Sequence, residues 1–143
     1  MIVSGEIWNI LDCFSRAEST FRDQYCEKTG KNSNIRAKNS IIIDGHIDVP
    51  YRVLREWEDV TMATEGGDYD YPRAIQGGLN APFMSIYTPA SLASEGKSKE
   101  RAEELIILVE KIVATAPDKY AIATSPSQIR EQFDQGLISL PLG

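Results

Sequence analysis

The sequence predicts an α/β fold in which parallel strands alternate with helices, preceded by a separate N-terminal helix. Apolar runs typical of strands recur at residues 41–43, 79–88 and 137–143. Helical patterns lie between them, and the strongest spans residues 98–116. Such alternation is typical of a parallel sheet, either a (β/α)8 barrel or a doubly wound sheet.

The first 38 residues are predicted to form a helix and a flexible connector, and residues 39–143 an incomplete α/β domain. Apolar residues recur at helical spacing over residues 6–25. A helix here would hold Cys13 and Cys26 roughly 20 Å apart, since each residue rises about 1.5 Å. That distance is too long for a disulfide. Both thiols are therefore expected to be free, as in a reducing compartment.

The first strand leads into a pair of side chains that suit a metal ion. After the apolar run at residues 41–43, predicted to be buried, Gly45 frees the backbone and Pro50 would end the strand. His46 and Asp48 are two residues apart, so on a strand both point to the same face. Imidazole and carboxylate groups bind divalent cations such as zinc. A surface ion pair or a hydrogen-bonded core histidine is the competing interpretation.

A polar helix over residues 53–57 and an acidic loop over residues 65–72 are predicted to follow. Asp68 and Asp70 lack the other ligands of a calcium loop, so the loop is expected to be a solvated turn. Alternatively, Pro72 opens a helical turn there, as its position near Asp70 allows.

The second strand supplies two candidates for a substrate pocket. Within residues 79–88, Ser85 and Tyr87 are two apart and share a face. Each fits a packed core position equally well.

The last elements are predicted from capping residues. Ser98 is expected to cap the long helix that ends before Pro117. After a short extended piece at residues 120–124, Ser125 opens a further helix with a capping box, and Gly136 closes it.

Size and charge limit the possible functions. A barrel needs about 250 residues, more than the 143 present, and the three predicted strands would be roughly its first third, so a larger enzyme is expected. The net charge of −6 argues against a nucleic-acid partner. No segment is apolar for long enough to span a membrane, and the N-terminus does not resemble a signal peptide. A cytoplasmic location is the default expectation.

Two segments resemble a known family. DGHIDVPY at residues 44–51 and the stretch at residues 72–87, ending in GGLNAPFMSIY, are similar to the opening of the membrane (renal-type) dipeptidases, peptidase family M19. The resemblance runs from about residue 39 to the last residue. It departs from the common pattern at Pro82 and Met84, which leaves the substrate preference open.

The resemblance implies a zinc (β/α)8 metallo-hydrolase barrel, of which this chain would provide about the first three strands. His46 and Asp48 would be the first ligands of a site for two zinc ions, and Asp44 a candidate to orient the imidazole or a plain surface residue. The family's bridging glutamate, further zinc histidines and substrate-binding arginine would lie beyond residue 143. The substrate would be a dipeptide, and a homodimer of the complete enzyme stays open.

Two functions from different classes therefore follow from the sequence. The first is a zinc metallodipeptidase, with this chain a truncated part of it that is inactive alone. The alternative is a non-catalytic interaction module, or a subunit completed by another chain.

Overall fold

A computed structural model describes residues 39–143, and the predicted N-terminal helix, connector and cysteines lie outside the described residues. Four strands occur in this range: β1 Ile42–Ile47, β2 Leu79–Met84, β3 Tyr120–Ile122 and β4 Ile138–Leu140. Five helices accompany them: α1 Val49–Arg55, α2 Tyr71–Gly77, α3 Ser91–Ser94, α4 Ser98–Thr115 and α5 Pro126–Asp134. The predicted α/β class is confirmed.

The strands pair in parallel, as predicted, but their order differs from their sequence. β1 pairs with β2, and β3 pairs with β4. The backbone just after β4 then joins β2, where the Met84 N–H donates to the Pro141 oxygen at 2.8 Å. The resulting order is β1, β2, β4, β3. Four strands are present in the described residues where about three were expected. The additional strand is β3, which pairs with the edge of β4 that faces away from β2.

Two clusters of buried residues form the hydrophobic core, and the larger one lies between the strands and the helices. In the larger cluster Met84 on β2, Val109 on α4 and Leu140 on β4 have no exposed surface. Ile47, at the end of β1, packs against the same cluster. Burying side chains of this size contributes about 1.5–3 kcal/mol each. The carboxyl ends of β1 and β2 are thus fixed by this larger cluster.

Several predicted strand boundaries differ from the observed ones. β1 includes Gly45 and His46 but ends at Ile47, before the Pro50 that was predicted to end it. It is also not a buried strand, since 53% of the Ile43 side-chain surface is exposed. Within the described residues β1 has a partner on one edge only, which explains this exposure. β2 ends at Met84 because β1, its ladder partner, ends at Ile47.

Helix starts also differ from the predictions. α1 begins at Val49, four residues before the predicted polar helix. The cap of α4 is Lys97, so the prediction that Ser98 caps it is wrong by one residue. The capping prediction for Ser125 is confirmed, because its side chain accepts a hydrogen bond from the Gln128 N–H. No helix between residues 39 and 143 has the length and apolarity needed to cross a membrane.

Candidate metal site

A β-bulge shapes the carboxyl end of β1. Asp44 faces Pro82 and Ile47 faces Met84, so three steps along β1 match two along β2. The extra residue falls at Gly45 and His46, and a bulge of this kind redirects the side chains that follow it. A Cβ at Gly45 would meet no atom within 4 Å. The bulge therefore does not depend on the glycine that marks it in the sequence.

Asp44 holds the backbone of the bulge. Its carboxylate Oδ1 accepts a hydrogen bond from the backbone N–H of His46 at 3.0 Å. The sequence suggested that Asp44 orients the imidazole or is a plain surface residue. In the structure its contact is with the main chain of His46, so it acts on the direction of the side chain through the backbone.

The imidazole of His46 and the carboxylate of Asp48 meet at this end of the strand. His46 Nε2 lies 3.2 Å from Asp48 Oδ1, and both side chains are 64% exposed. Asp48 lies one residue beyond β1 and is the N-cap of α1, yet its side chain makes no capping hydrogen bond. The start of α1 thus brings Asp48 back beside His46 and leaves its carboxylate free for another partner.

The separation of these two atoms fits a shared metal ion. Zinc bonds to histidine nitrogen and carboxylate oxygen are about 2.0–2.2 Å long, which at a tetrahedral angle places two ligand atoms roughly 3.4 Å apart. The donor types also suit zinc. Within residues 39–143 no further histidine, cysteine, aspartate or glutamate side chain lies close enough to this pair to form a group of three possible metal ligands. The described part of the chain therefore brings two donors together and needs others to complete a site.

The two predicted pocket residues have different environments. Ser85 is buried, with 3% of its surface exposed, and its N–H donates to the Ile47 oxygen at 3.0 Å. This is the packed position that the sequence left as the alternative. Tyr87 is 48% exposed, and its ring meets the Tyr51 ring edge-on at 5.4 Å between centroids.

A shallow depression adjoins Asp48 along one face of α1. Its volume is about 390 Å³, and it is lined by Asp48, Tyr51, Arg52, Arg55 and Glu56. The sequence analysis did not single out the last four of these. Their spacings of three, four, seven and eight residues from Asp48 were the available signal, because residues so spaced share a helix face.

A folded loop supports α1 from the other side. Arg52 forms an ion pair with Glu58, whose carboxylate also accepts a hydrogen bond from the Gly66 N–H. The Gly66 hydrogen bond, and then the one from Arg52, hold the pKa of Glu58 below its ordinary value. This interaction fixes Arg52 and leaves Arg55 as the outer cation of the depression.

Asp70 is the buried centre of the same loop. Only 1% of its surface is exposed, so the expected solvated turn is wrong at this residue. Its side chain caps α2 by accepting from the Arg73 N–H at 2.8 Å, and it accepts from the Thr64 N–H at 3.0 Å. Burial raises the pKa of Asp70, but these hydrogen bonds and Arg73 outweigh it and leave the pKa below the ordinary value.

Comparison with known proteins places this arrangement in a family. The model of the membrane dipeptidase family, peptidase family M19, matches residues 32–143. The chain belongs to peptidase family M19. The resemblance seen in the sequence is thereby confirmed.

Individual M19 relatives agree with the family match. Dipeptidase ataJ of Aspergillus terreus is 27% identical over 114 residues, which cover 71% of this chain and 28% of that protein. Two solved structures share the fold. Dipeptidase AC, of family M19, has a TM-score of 0.61 at 21% identity and is matched over 71% of this chain and 34% of its own. A metallopeptidase from Rhodobacter sphaeroides, liganded with a phosphinate mimic of the dipeptide L-Ala-D-Ala, has a TM-score of 0.62 at 18% identity, with 71% and 37% covered.

The chain spans about a third of the length of these M19 relatives.

Proposed function

We propose that His46 and Asp48 are the first two ligands of a zinc-dependent dipeptidase site. The observation that carries this proposal is the 3.2 Å approach of His46 Nε2 to Asp48 Oδ1 at the carboxyl end of β1. Parallel α/β folds place their active sites at this end of the strands. Membership of peptidase family M19 supports a metal-dependent peptidase.

Each residue of the site has a separate task in this proposal. His46 would donate a lone pair of a ring nitrogen, and Asp48 a carboxylate oxygen whose negative charge offsets part of the charge of a divalent cation. Asp44 positions His46 by holding the N–H of the bulge. A bound zinc ion would supply a water molecule of lowered pKa as the nucleophile.

The aromatic rings beside the metal ligands form one wall of the proposed substrate pocket. Tyr51 lines the depression that begins at Asp48, and the Tyr87 ring supports the Tyr51 ring edge-on. Such a wall would exclude water from one side of a bound dipeptide. Ser85 lies behind it and fixes the backbone at the end of β2 through Ile47.

The activity is proposed for a complete (β/α)8 barrel. Two donors do not close a catalytic zinc site, which in proteins has three protein ligands. The further ligands would come from outside residues 39–143, in agreement with the greater length of the relatives. Residues 39–143 alone are therefore expected to be inactive.

Metal removal from the full-length protein tests the proposal. The protein would be treated with a chelator, then assayed for hydrolysis of L-Ala-D-Ala and L-Ala-L-Ala with and without added zinc. We expect hydrolysis that stops on chelation and returns with zinc. Activity that survives complete metal removal would exclude the metal-dependent mechanism. A protein that folds cooperatively, binds no zinc and cleaves neither dipeptide would support a non-catalytic module instead.

A further inference from the structure

We propose that Arg55 is a specificity-determining residue that recognises an acidic side chain of the dipeptide. The inference rests on the proposed function, since it assigns a substrate class to the same site. It concerns the depression on α1 that starts at Asp48 and ends at Arg55 and Glu56.

The guanidinium of Arg55 is held over the depression. It lies 5.8 Å from the centre of the Tyr51 ring, a cation–π distance, and Tyr51 is in turn braced by Tyr87. Residues Asp48, Tyr51 and Arg55 follow each other at spacings of three and four on one helix face. A charged group is thus presented on the same surface as the proposed metal ligand.

Arg55 has no anionic partner of its own among residues 39–143, unlike its neighbour Arg52. Arg52 is paired with Glu58 and also reaches the Tyr69 oxygen. No carboxylate of the described residues lies within ion-pair distance of Arg55. An arginine offers a planar fork of donors that matches a carboxylate in two-point contact. An external carboxylate therefore suits this guanidinium as a partner.

The position of Arg55 favours a side-chain carboxylate over the main-chain one. Arg55 is seven residues beyond Asp48, which is roughly 10 Å along the helix axis. The terminal carboxylate of a dipeptide lies within one residue of the scissile bond, or about 3.5 Å. The carboxylate of a glutamate or aspartate side chain extends further from that bond and so approaches the guanidinium of Arg55.

Negative charge near the proposed metal ligands makes the contact between Arg55 and the substrate carboxylate decisive for the binding of acidic dipeptides. Asp44, Asp48 and Glu56 place negative charge around the site and would repel an acidic substrate. Arg55 offsets that repulsion where the side chain would lie. Loss of the Arg55 cation should therefore weaken the binding of acidic dipeptides and leave the binding of their neutral isosteres almost unchanged.

Binding to metal-free full-length protein tests the inference without relying on hydrolysis. Ala-Glu, Glu-Ala and their amide isosteres Ala-Gln and Gln-Ala would be titrated by calorimetry into the wild type, Arg55→Gln and Arg55→Lys. We expect the wild type to prefer one acidic dipeptide over its isostere by about five- to tenfold, R55Q to abolish the preference, and R55K to retain part of it. The matched control is Arg130→Gln, the same charge change at an exposed position of α5, which should leave the preference intact.

The outcomes separate this inference from the proposed function. Equal binding of acidic and neutral dipeptides, no binding of either, or an equal loss of preference in R130Q would overturn the role of Arg55. Zinc-dependent hydrolysis without any acidic preference would leave the dipeptidase function standing. If the protein cleaves no dipeptide, yet prefers acidic dipeptides and loses that preference in R55Q, only the enzymatic proposal is excluded.

Discussion

Asp48 and Asp70 occur in the same local pattern and have opposite environments. Each is the N-cap residue of a helix, and each is followed two residues later by a proline in the first turn. Asp70 is buried and caps α2 through the Arg73 N–H. Asp48 makes no capping bond and lies beside His46 with 64% of its side chain exposed. The same Asp-x-Pro signal thus stabilises the fold at one position and leaves an exposed carboxylate beside an imidazole at the other.

The difference comes from what surrounds each carboxylate. The loop before α2 folds over Asp70 and directs the Thr64 N–H towards it, and Arg73 in the first turn of α2 adds its own N–H and guanidinium. The strand before α1 instead contains a bulge that turns His46 towards Asp48. A buried carboxylate needs all of these donors to offset its lost hydration. A carboxylate without such donors stays available to a cation.

The largest expected effect is the loss of activity when a side chain of the exposed pair, His46 and Asp48, is removed. In the full-length protein His46→Ala should reduce dipeptide hydrolysis more than about 100-fold, since a metal ligand matters more than the residues that orient it. The free energy of unfolding should change by less than about 0.5 kcal/mol, because the side chain is exposed. Zinc content and steady-state kinetics measure the first effect, and urea denaturation the second. Full activity in a zinc-depleted H46A protein would exclude His46 as a ligand.

Removal of the buried carboxylate should have the reverse consequence. Asp70→Ala deletes a helix cap, worth about 1 kcal/mol, and leaves buried N–H groups unpaired at about 1–3 kcal/mol. We expect a loss of roughly 2–4 kcal/mol in unfolding free energy, measured by urea denaturation. Asp48→Ala, the matched change in the same sequence pattern, should cost less than about 0.5 kcal/mol. Equal losses in the two variants would contradict the assigned difference.

A smaller effect is expected at the residue that holds the bulge. Asp44→Ala removes the acceptor of the His46 N–H and should weaken zinc binding by about tenfold, as for other residues that orient metal ligands. Asp44→Asn keeps an oxygen that accepts this bond, so it should restore most of the affinity. Competition with a chromophoric chelator measures both variants. Equal weakening in D44A and D44N would indicate that the charge of Asp44, and not its hydrogen bond, matters.

The smallest expected effect concerns the pH dependence of the unfolding free energy at acidic pH. The pKa of Asp70 in the folded protein is below its ordinary value of 3.8, so its ionised form stabilises the fold. This contribution is complete above the unfolded-state pKa and disappears as the pH falls through the folded-state pKa. The difference in urea midpoint between the wild type and Asp70→Asn should therefore be constant near neutral pH and shrink below about pH 4. A difference that grows on acidification would have the wrong sign for this linkage.

The sequence predicted those features that depend on local pattern. Parallel strands alternating with helices follow from apolar runs and helical periodicity, and the Ser125 cap and the Pro72 turn follow from local chemistry. The pairing of His46 with Asp48 was also visible as a two-residue spacing. Predictions from local pattern failed for the features that long-range contacts determine. The order of β4 and β3, the burial of Asp70 and the exposure of Ile43 each depend on which segment lies alongside.

The proposed substrate pocket shows the same limit. Tyr87 was a candidate because it shares a strand face with Ser85, but Tyr51 and Arg55 become relevant only when α1 places them near Tyr87 and one another. Nothing in their local sequence distinguishes them from residues of any short polar helix.

By itself the sequence determined the element types and the spacing of His46 and Asp48, because these depend on hydrophobic periodicity and on residues within a few positions. It indicated the family through the resemblance of two motifs. Only the tertiary structure decided which of two equivalent aspartates is enclosed by hydrogen-bond donors and which is left open beside an imidazole. The physical reason is that desolvation and hydrogen-bond partners are supplied by segments distant in sequence.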